Sequence, residues 1–344
     1  MDIYSIIKWY HTIKSPRLKL VGILGLHLLH KRYLYIALDP ALACNLRCRL
    51  CYFSDPETLK EMGGKFTDED IKAIAQTVFH RGLKLQIGCG AEPTIYKGLP
   101  ELVREAHDKG IPHISMTTNG NLLTLESLRQ LVTNGLNELI LSTHGFSKEV
   151  YEHLMVGAKF EHFKNLLQHI AVVKNEFPNL KVRINYTVCA DNIDDLKRLP
   201  KVFEDVKPDI IQLRPVQDIG SPGYDNYSIE PIVRKYDECI KPIVEFCAAN
   251  QITCLYPKAE NLNVIANDNK EKQHLNSVVD MLPYFHLSPY NGWKSEFNPY
   301  EETFESFARR TRRVTNILRM LFGWKPTSAN NQASTTRALN YDVQ

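Results

Sequence analysis

From residue 33 the chain alternates short β-rich runs with helical stretches, and this alternation limits the fold more than any other feature. The runs are Tyr33–Leu38, Leu83–Cys89, His113–Thr118, Glu138–Thr143, Lys181–Val188 and Asp209–Val216. Between them, Thr67-Asp-Glu-Asp70 opens a helix with acid in its first turn. Ile71, Ile74, Ala75, Val78 and Phe79 follow at helical spacing, and Gly82 stops it. Thr124 opens another helix, with Leu125, Leu128, Leu131 and Val132 as its apolar stripe and Gly135 as its end. Residues 160–176 and 192–206 repeat the pattern. Six βα units imply parallel strands joined by right-handed crossovers. Six strands are too few to close an eight-stranded barrel, so the expected fold is α/β, a partial and open barrel.

A parallel strand buried on both faces is apolar throughout, and these strands are not. The run 181–188 puts Val182, Ile184, Tyr186 and Val188 on one face and Arg183, Asn185 and Thr187 on the other. Gln212 and Arg214, Ser115 and Thr117, and Lys84 and Gln86 behave likewise. A purely structural barrel core is filled with branched apolar residues. The expectation is therefore a polar lumen with donors for a charged ligand.

Cys44, Cys48 and Cys51 follow directly on the first strand, spaced C-x3-C-x2-C. Thiolate is a soft ligand suited to iron–sulfur clusters, zinc or copper(I). Three thiolates can hold three corners of a [4Fe–4S] cluster and leave one iron open, whereas electron-carrying clusters have four protein ligands. Structural zinc normally takes four ligands, often as two pairs, and no second CxxC pair exists here. Ala41-Leu-Ala-Cys44 loosely matches a lipoprotein cleavage site, but Lys31, Arg32 and Asp39 separate it from the apolar run 20–29. Ordinary buried cysteines would not need this spacing.

The stretch Cys44-Asn-Leu-Arg-Cys48-Arg-Leu-Cys51-Tyr52 resembles the radical S-adenosylmethionine (radical SAM) superfamily, whose C-x3-C-x-Φ-C motif would place Leu50 at Φ. The resemblance covers about residues 33–216 and implies a partial (βα)6 TIM-like barrel. It implies two cofactors, a [4Fe–4S] cluster on Cys44, Cys48 and Cys51 and S-adenosyl-L-methionine, with Leu50 and Tyr52 beside them. Gly88-Cys-Gly-Ala-Glu-Pro-Thr94 is similar to the family's Gly-Gly-Glu element, with Gly90, Ala91 and Glu92 in its positions and Ala91 as a departure. Thr117-Thr-Asn119-Gly is a phrase common in the family; outside it, an Asn-Gly turn is the simple reading. In Leu141-Ser142-Thr-His144-Gly, Ser142 would lie near the methionine carboxylate or ribose, and His144 stands where relatives often have an acid. The arginine that many relatives carry a dozen residues on is missing. That leaves Lys159 or Arg183 for the carboxylate, and Asn185 for the ribose hydroxyls. The implied reaction is reductive cleavage of S-adenosylmethionine to a 5′-deoxyadenosyl radical, which takes hydrogen from a substrate in the lumen. No catalytic side chain is assigned. An electron donor such as flavodoxin or ferredoxin is implied with it. The rival expectation is an iron–sulfur electron-carrying or sensing protein without S-adenosylmethionine turnover.

Elsewhere, residues 1–32 read as an amphipathic helical extension, able either to cap the barrel or to lie on an anionic membrane. Residues 33–216 form the core, 217–325 a mixed α/β, mostly helical extension, and 326–344 a polar, disordered tail. Residues 229–250 read as one helix, Ile252–Tyr256 as a short strand, and Met281–Trp293 as an aromatic segment over the barrel mouth or packed on the surface. Glu301–Trp324 reads as a basic helix. Cys89 and Cys189 would line the lumen. Cys239, Cys247 and Cys254 make no CxxC pair, which argues against a second cluster. A net charge of +3 is too small to argue nucleic-acid binding. Cysteines clustered near the start of a chain this long suit a reducing compartment, and no apolar run reaches the roughly 18 residues of a membrane span. The expected location is cytoplasmic. The substrate, a peptide, sugar or lipid precursor, is not readable.

Overall fold

Eight strands form one parallel sheet: β1 (Leu34–Leu38), β2 (Gly82–Ile87), β3 (Ile114–Thr118), β4 (Glu138–Thr143), β5 (Lys181–Val188), β6 (Ile210–Pro215), β7 (Thr253–Leu255) and β8 (Tyr284–Leu287). Their spatial order is β7-β6-β5-β4-β3-β2-β1-β8. Every neighbouring pair is parallel, and among the described residues β7 and β8 do not pair, so the barrel stays open. This computed structural model describes residues 3–217, 224–259, 262 and 274–324. The tail expected at 326–344 lies outside them.

The barrel expectation holds, with two strands more than six. Both come from the segment after residue 216, which therefore builds the two edges of the sheet. β7 falls within the short strand expected at 252–256. β8 falls inside the aromatic segment 281–293, where it pairs with β1 through Tyr35–Tyr284 and Ala37–His286. Four residues are too few for a period-two pattern to stand out from a loop.

Several helices are more broken than their periodicity suggests. Residues 229–250 divide into Glu230–Arg234, a π-helical turn at Tyr236–Ile240 and Lys241–Ala249. Residues 192–206 give a 3-10 turn, Asp194–Arg198, and one helical turn, Leu199–Val202, with Pro200 just inside its start. The basic stretch 301–324 breaks at Arg312, whose φ of 53° is left-handed, into Phe304–Arg310 and Arg313–Leu321. The N-terminal extension is two helices, α1 (Ile3–Thr12) and α2 (Pro16–Leu28), with the Ser15 hydroxyl accepting from Leu18 N and Pro16 at the first helical position.

Strand β5 alternates without a fault. Val182, Ile184, Tyr186 and Val188 are buried, and the residues between them are half-exposed. The buried set joins one core with Leu166, Leu167, Ile170 and Val173 of helix Phe160–Glu176. The other set faces the barrel interior. Strand register lines Ser142 up with Asn185 and Gln212, and Ile140 with Arg183 and Ile210.

Helix α1 stoppers the N-terminal end of the barrel. Glu138, fully buried, accepts from Arg183 Nε at 2.8 Å and pairs with His113 Nε2 at 2.9 Å. Arg183 Nη2 donates to the Tyr4 hydroxyl of α1, and its Nη1 lies 3.4 Å from Gln212 Oε1. The Tyr4 ring meets His113 edge-on, with centroids 5.8 Å apart. Burial pushes the Tyr4 hydroxyl far above its ordinary pKa, so it stays neutral and can donate or accept. Of the two fates expected for the N-terminal extension, capping is the one α1 adopts.

Candidate active site

The cysteine loop leaves β1 at Asp39 and is pinned by backbone bonds on two sides. Leu42 N reaches Gly64 O at 2.9 Å and Phe66 N reaches Pro40 O at 3.0 Å. On the other side, Arg47 N reaches Val156 O and Arg49 N reaches Leu154 O, both at 2.9 Å. Two leucines anchor it from below. Leu46 enters the main core, and Leu50 packs with Leu154, Val216 and Tyr224. The backbone bonds and buried leucines hold the loop, with Leu46 N also reaching Cys44 Sγ at 3.4 Å.

Among the described residues, the one set of three or more Cys, His, Asp or Glu with all ligand atoms within 4.8 Å is Asp194, Glu238 and Cys239. Cys44, Cys48 and Cys51 are therefore spread more widely than the tetrahedral shell of a single zinc, whose Zn–S bonds are about 2.3 Å. Wider spacing suits a cluster that puts a separate iron under each sulfur. Burial raises the Cys44 thiol to about 11 and holds Cys48 well above its ordinary value, so both are neutral until a metal displaces the proton.

The loop after β2 lies against the cysteines. Gly88 has a φ of 77°, and a Cβ there would stand 2.4 Å from Thr117 O; the position requires glycine. A Cβ at Gly90 would stand 2.6 Å from the Tyr52 hydroxyl, which donates to Gly90 O. Glu92 N donates to Ala43 O at 2.9 Å, tying this loop to the cysteine loop. The Glu92 carboxylate is buried and fully engaged. One oxygen accepts from Thr94 N and, at 2.6 Å, from Thr118 Oγ1, and the other accepts from Asn119 N at 2.8 Å. Burial raises its pKa, and these donors act against that rise. Asn119 is held beside the cysteines, with Nδ2 2.9 Å from Asn45 Oδ1 and 3.9 Å from Cys44 Sγ.

The residues expected around the cofactors thus divide into three groups. Tyr52, Gly90, Ala91, Glu92 and Asn119 gather beside the three cysteines. Ser142 and Asn185 sit side by side on β4 and β5, and the Asn185 Oδ1 is buried with no hydrogen-bond partner among the described residues. Arg183 does not join them, because Glu138 and Tyr4 hold it two residues nearer the N-terminal end of β5. Period two tells which face a side chain takes; it does not tell which neighbour claims its charge. Lys159 is exposed and its backbone N lies 3.4 Å from Asn121 Oδ1. Burial lowers His144 to about 4, against the backbone of Thr143, which acts to raise it, so the ring is neutral.

Asp39 is the residue the sequence reading missed. It is buried, and its Oδ1 accepts from Cys89 N at 2.7 Å, Gly90 N at 3.0 Å and Ala91 N at 3.4 Å. Its Oδ2 lies 3.4 Å from His286 Nε2 on β8. An acid at the last turn out of a buried strand, just before Pro40, was the available signal. The carboxylate shapes the loop that carries Gly90.

The residues present fit the cofactors expected for them. Three thiols are spread at one barrel mouth, a glycine cradle lies beside them, and an unsatisfied amide oxygen faces the lumen. The architecture is a partial βα barrel with its site at the C-terminal ends of the strands. The family model for the radical SAM superfamily, whose cofactors are a [4Fe–4S] cluster and S-adenosylmethionine, matches residues 39–199, a little under half of the chain. A probable GTP 3′,8-cyclase of Metallosphaera sedula is 28% identical over 177 residues, 50% of this chain and 53% of that protein. A PqqA peptide cyclase of Bradyrhizobium diazoefficiens is 27% identical over 212 residues, 62% of this chain and 54% of that protein. The chain therefore spans about half the length of these curated relatives. Streptococcus suis SuiB, solved with the precursor peptide SuiA, superposes with a TM-score of 0.57 at 16% identity, over 78% of this chain and 60% of SuiB. At that identity the likeness is one of fold.

Proposed function

We propose that this chain is a radical SAM enzyme. It would hold a [4Fe–4S] cluster through Cys44, Cys48 and Cys51 and abstract hydrogen from a small-molecule or peptide substrate bound in the barrel lumen. Once bound, the cluster and S-adenosylmethionine supply a 5′-deoxyadenosyl radical through one-electron reductive cleavage. Everything else falls to the chain. Gly90 and Ala91 bring backbone close to the methionine end, with Tyr52 and Asp39 fixing that backbone from either side. Asn119 borders the cysteine loop, Leu50 braces it from the core, and Ser142 and Asn185 face the ribose. Glu92 acts through structure in this reading, because its contacts with Thr94, Thr118 and Asn119 hold the β2 and β3 loops together. Leu154, Val216 and Tyr224 close apolar surface around Leu50 and help keep water from the mouth. The electron comes from a donor such as flavodoxin or ferredoxin.

The observation that carries the reading is the gathering of Tyr52, Gly90 and Asn119 around three thiols spread too widely for one metal ion. A PqqA peptide cyclase among the relatives and a peptide-bound fold neighbour put a peptide among the substrates to try first, with a nucleotide next. The test is anaerobic reconstitution with iron and sulfide, then dithionite and S-adenosylmethionine, with 5′-deoxyadenosine measured by mass spectrometry. Formation of 5′-deoxyadenosine above a protein-free control is expected. A cluster whose electron paramagnetic resonance is unchanged by S-adenosylmethionine, and which yields no 5′-deoxyadenosine, would defeat the proposal.

A further inference from the structure

Among the described residues, fourteen large apolar side chains are exposed, and nine of them fall in two short segments: Trp9 to Leu29 and Leu318 to Trp324. Such concentration is unusual for a surface that meets only water. Helix α2 explains part of it. Leu20 and Ile23 point into the core, yet Leu18, Val21, Leu28 and Leu29 occupy the opposite arc and are exposed. A helix apolar on both sides needs cover on both. A Cβ added at Gly22 or Gly25 meets nothing within 4 Å, so the outer arc faces open space among the described residues.

Helix Arg313–Leu321 packs against α2. It buries Ile317 and Met320 in the same core cluster that takes Leu20 and Ile23, so the outer sides of the two helices turn the same way. On that side stand Leu318, Phe322 and Trp324, the last two 69% and 63% exposed. Their rings lie 6.1 Å apart just past the helix end.

Charge decides what covers this face. Residues 1–32 carry six Lys and Arg against one acid, and residues 309–325 carry six with no acid, in a chain whose net charge is only +3. Arg17, Lys31, Arg309 and Arg312 lie in these two segments and are exposed. Apolar helices with aromatic ends and a basic surround match the interface of an anionic bilayer, where the rings sit at headgroup depth and the cations meet phosphate. No helix of the described residues is long and apolar enough to cross a membrane, so the contact is peripheral. We propose that the paired outer faces of α2 and helix Arg313–Leu321 dock this protein on an anionic membrane surface. α1 stoppers the N-terminal end of the barrel and leads directly into α2, so docking would set that end toward the lipid side.

The test is sedimentation of the full chain with extruded vesicles, either phosphatidylglycerol mixed with phosphatidylethanolamine or phosphatidylcholine alone. Co-sedimentation with the anionic vesicles and not the neutral ones is expected, weakening at high salt as surface charge is screened. Leu29→Asp with Phe322→Asp should reduce the bound fraction about tenfold, since each puts a charge into an apolar interface. Its melting temperature should match wild type, because both side chains are already in water. Arg17→Glu with Lys31→Glu should weaken anionic binding and leave the apolar strip intact. Absence of sedimentation, or equal sedimentation with both vesicle types, would overturn the proposal. So would concentration-dependent dimerisation abolished by the Asp pair, which would assign the face to a second copy. Neither readout depends on S-adenosylmethionine cleavage, so this inference can fail while the proposed activity stands.

Discussion

The two ends of the barrel use their polar residues in opposite ways. At the N-terminal end, Glu138, Arg183, His113, Gln212 and Tyr4 contact one another, and α1 seals the cluster from solvent. At the C-terminal end, Asn185 Oδ1 is buried with no hydrogen-bond partner among the described residues, and burial raises the Cys44 and Cys48 thiols above their ordinary range. Buried polar atoms are normally satisfied. A satisfied cluster stabilises the fold, whereas an unsatisfied polar atom on a lumen-facing strand position is free to accept from a ligand. The contrast separates what holds this barrel together from what the barrel holds.

The sharpest break of that contrast is at the thiols. Cys44→Ala, Cys48→Ala or Cys51→Ala should remove the brown iron–sulfur chromophore and bring 5′-deoxyadenosine down to the protein-free background. The unloaded variants should melt close to wild type, because Leu46, Leu50 and the loop's backbone bonds do the anchoring. Cleavage surviving in any of the three would end the assignment.

The largest stability effect belongs to the other end. Glu138→Ala leaves the Arg183 guanidinium buried without its carboxylate and should cost about 3–5 kcal/mol in chemical denaturation. Burial alone would raise the Glu138 pKa. The hydrogen bond with His113 and the charges of Arg183 and Lys84 outweigh it and hold the carboxyl far below the ordinary range. A depressed folded pKa contributes stability above the unfolded value, about 4.3 for Glu, and that stability drains away as pH falls below it. Glu138→Gln should therefore be less stable than wild type at neutral pH and lose less on acidification below about pH 4. Parallel acid limbs for the two proteins would show that Glu138 does not govern this range.

How much of this the sequence disclosed follows from the range of the interactions. β5 and the three cysteines were legible because they are local patterns, period two in one and fixed spacing in the other. The pairing of Arg183 with Tyr4 spans 179 residues, and that of Asp39 with His286 spans 247. No local pattern announces either, so Arg183 looked like a cofactor ligand and Asp39 was passed over. The contacts of Glu92 were equally hidden, since two of its donors come from Thr118 at the end of β3 and Asn119 just after it. β8 escaped notice because four residues carry almost no periodicity.

Asp39 links the two behaviours, being fully bonded itself while shaping the open mouth. Asp39→Asn keeps the size and removes the charge that three backbone N–H groups converge on. Hydrogen bonds to a charged acceptor are worth about 1.5–3 kcal/mol each. The loop at Cys89–Ala91 should loosen, with faster amide exchange there and weaker S-adenosylmethionine binding. Unaltered exchange at those three amides would show that the loop holds itself.

The smallest effect is expected at Asn185, and it separates ligand-facing from structural polarity most directly. Its Oδ1 makes no hydrogen bond with the described residues, so Asn185→Ala removes no internal bond and relieves a buried polar atom. Stability should stay level or rise slightly. If the oxygen accepts from a ribose hydroxyl, the variant loses one neutral hydrogen bond, about 1 kcal/mol, or roughly a fivefold weaker dissociation constant for S-adenosylmethionine. Arg183→Ala, at the sealed end of the same strand face, should reverse the signs: a clear loss of stability, with cofactor affinity little changed in the folded fraction. Two alternate residues on one face of β5 would then report separately on scaffold and site. Equal effects on affinity would show that the polar lumen acts as a single unit.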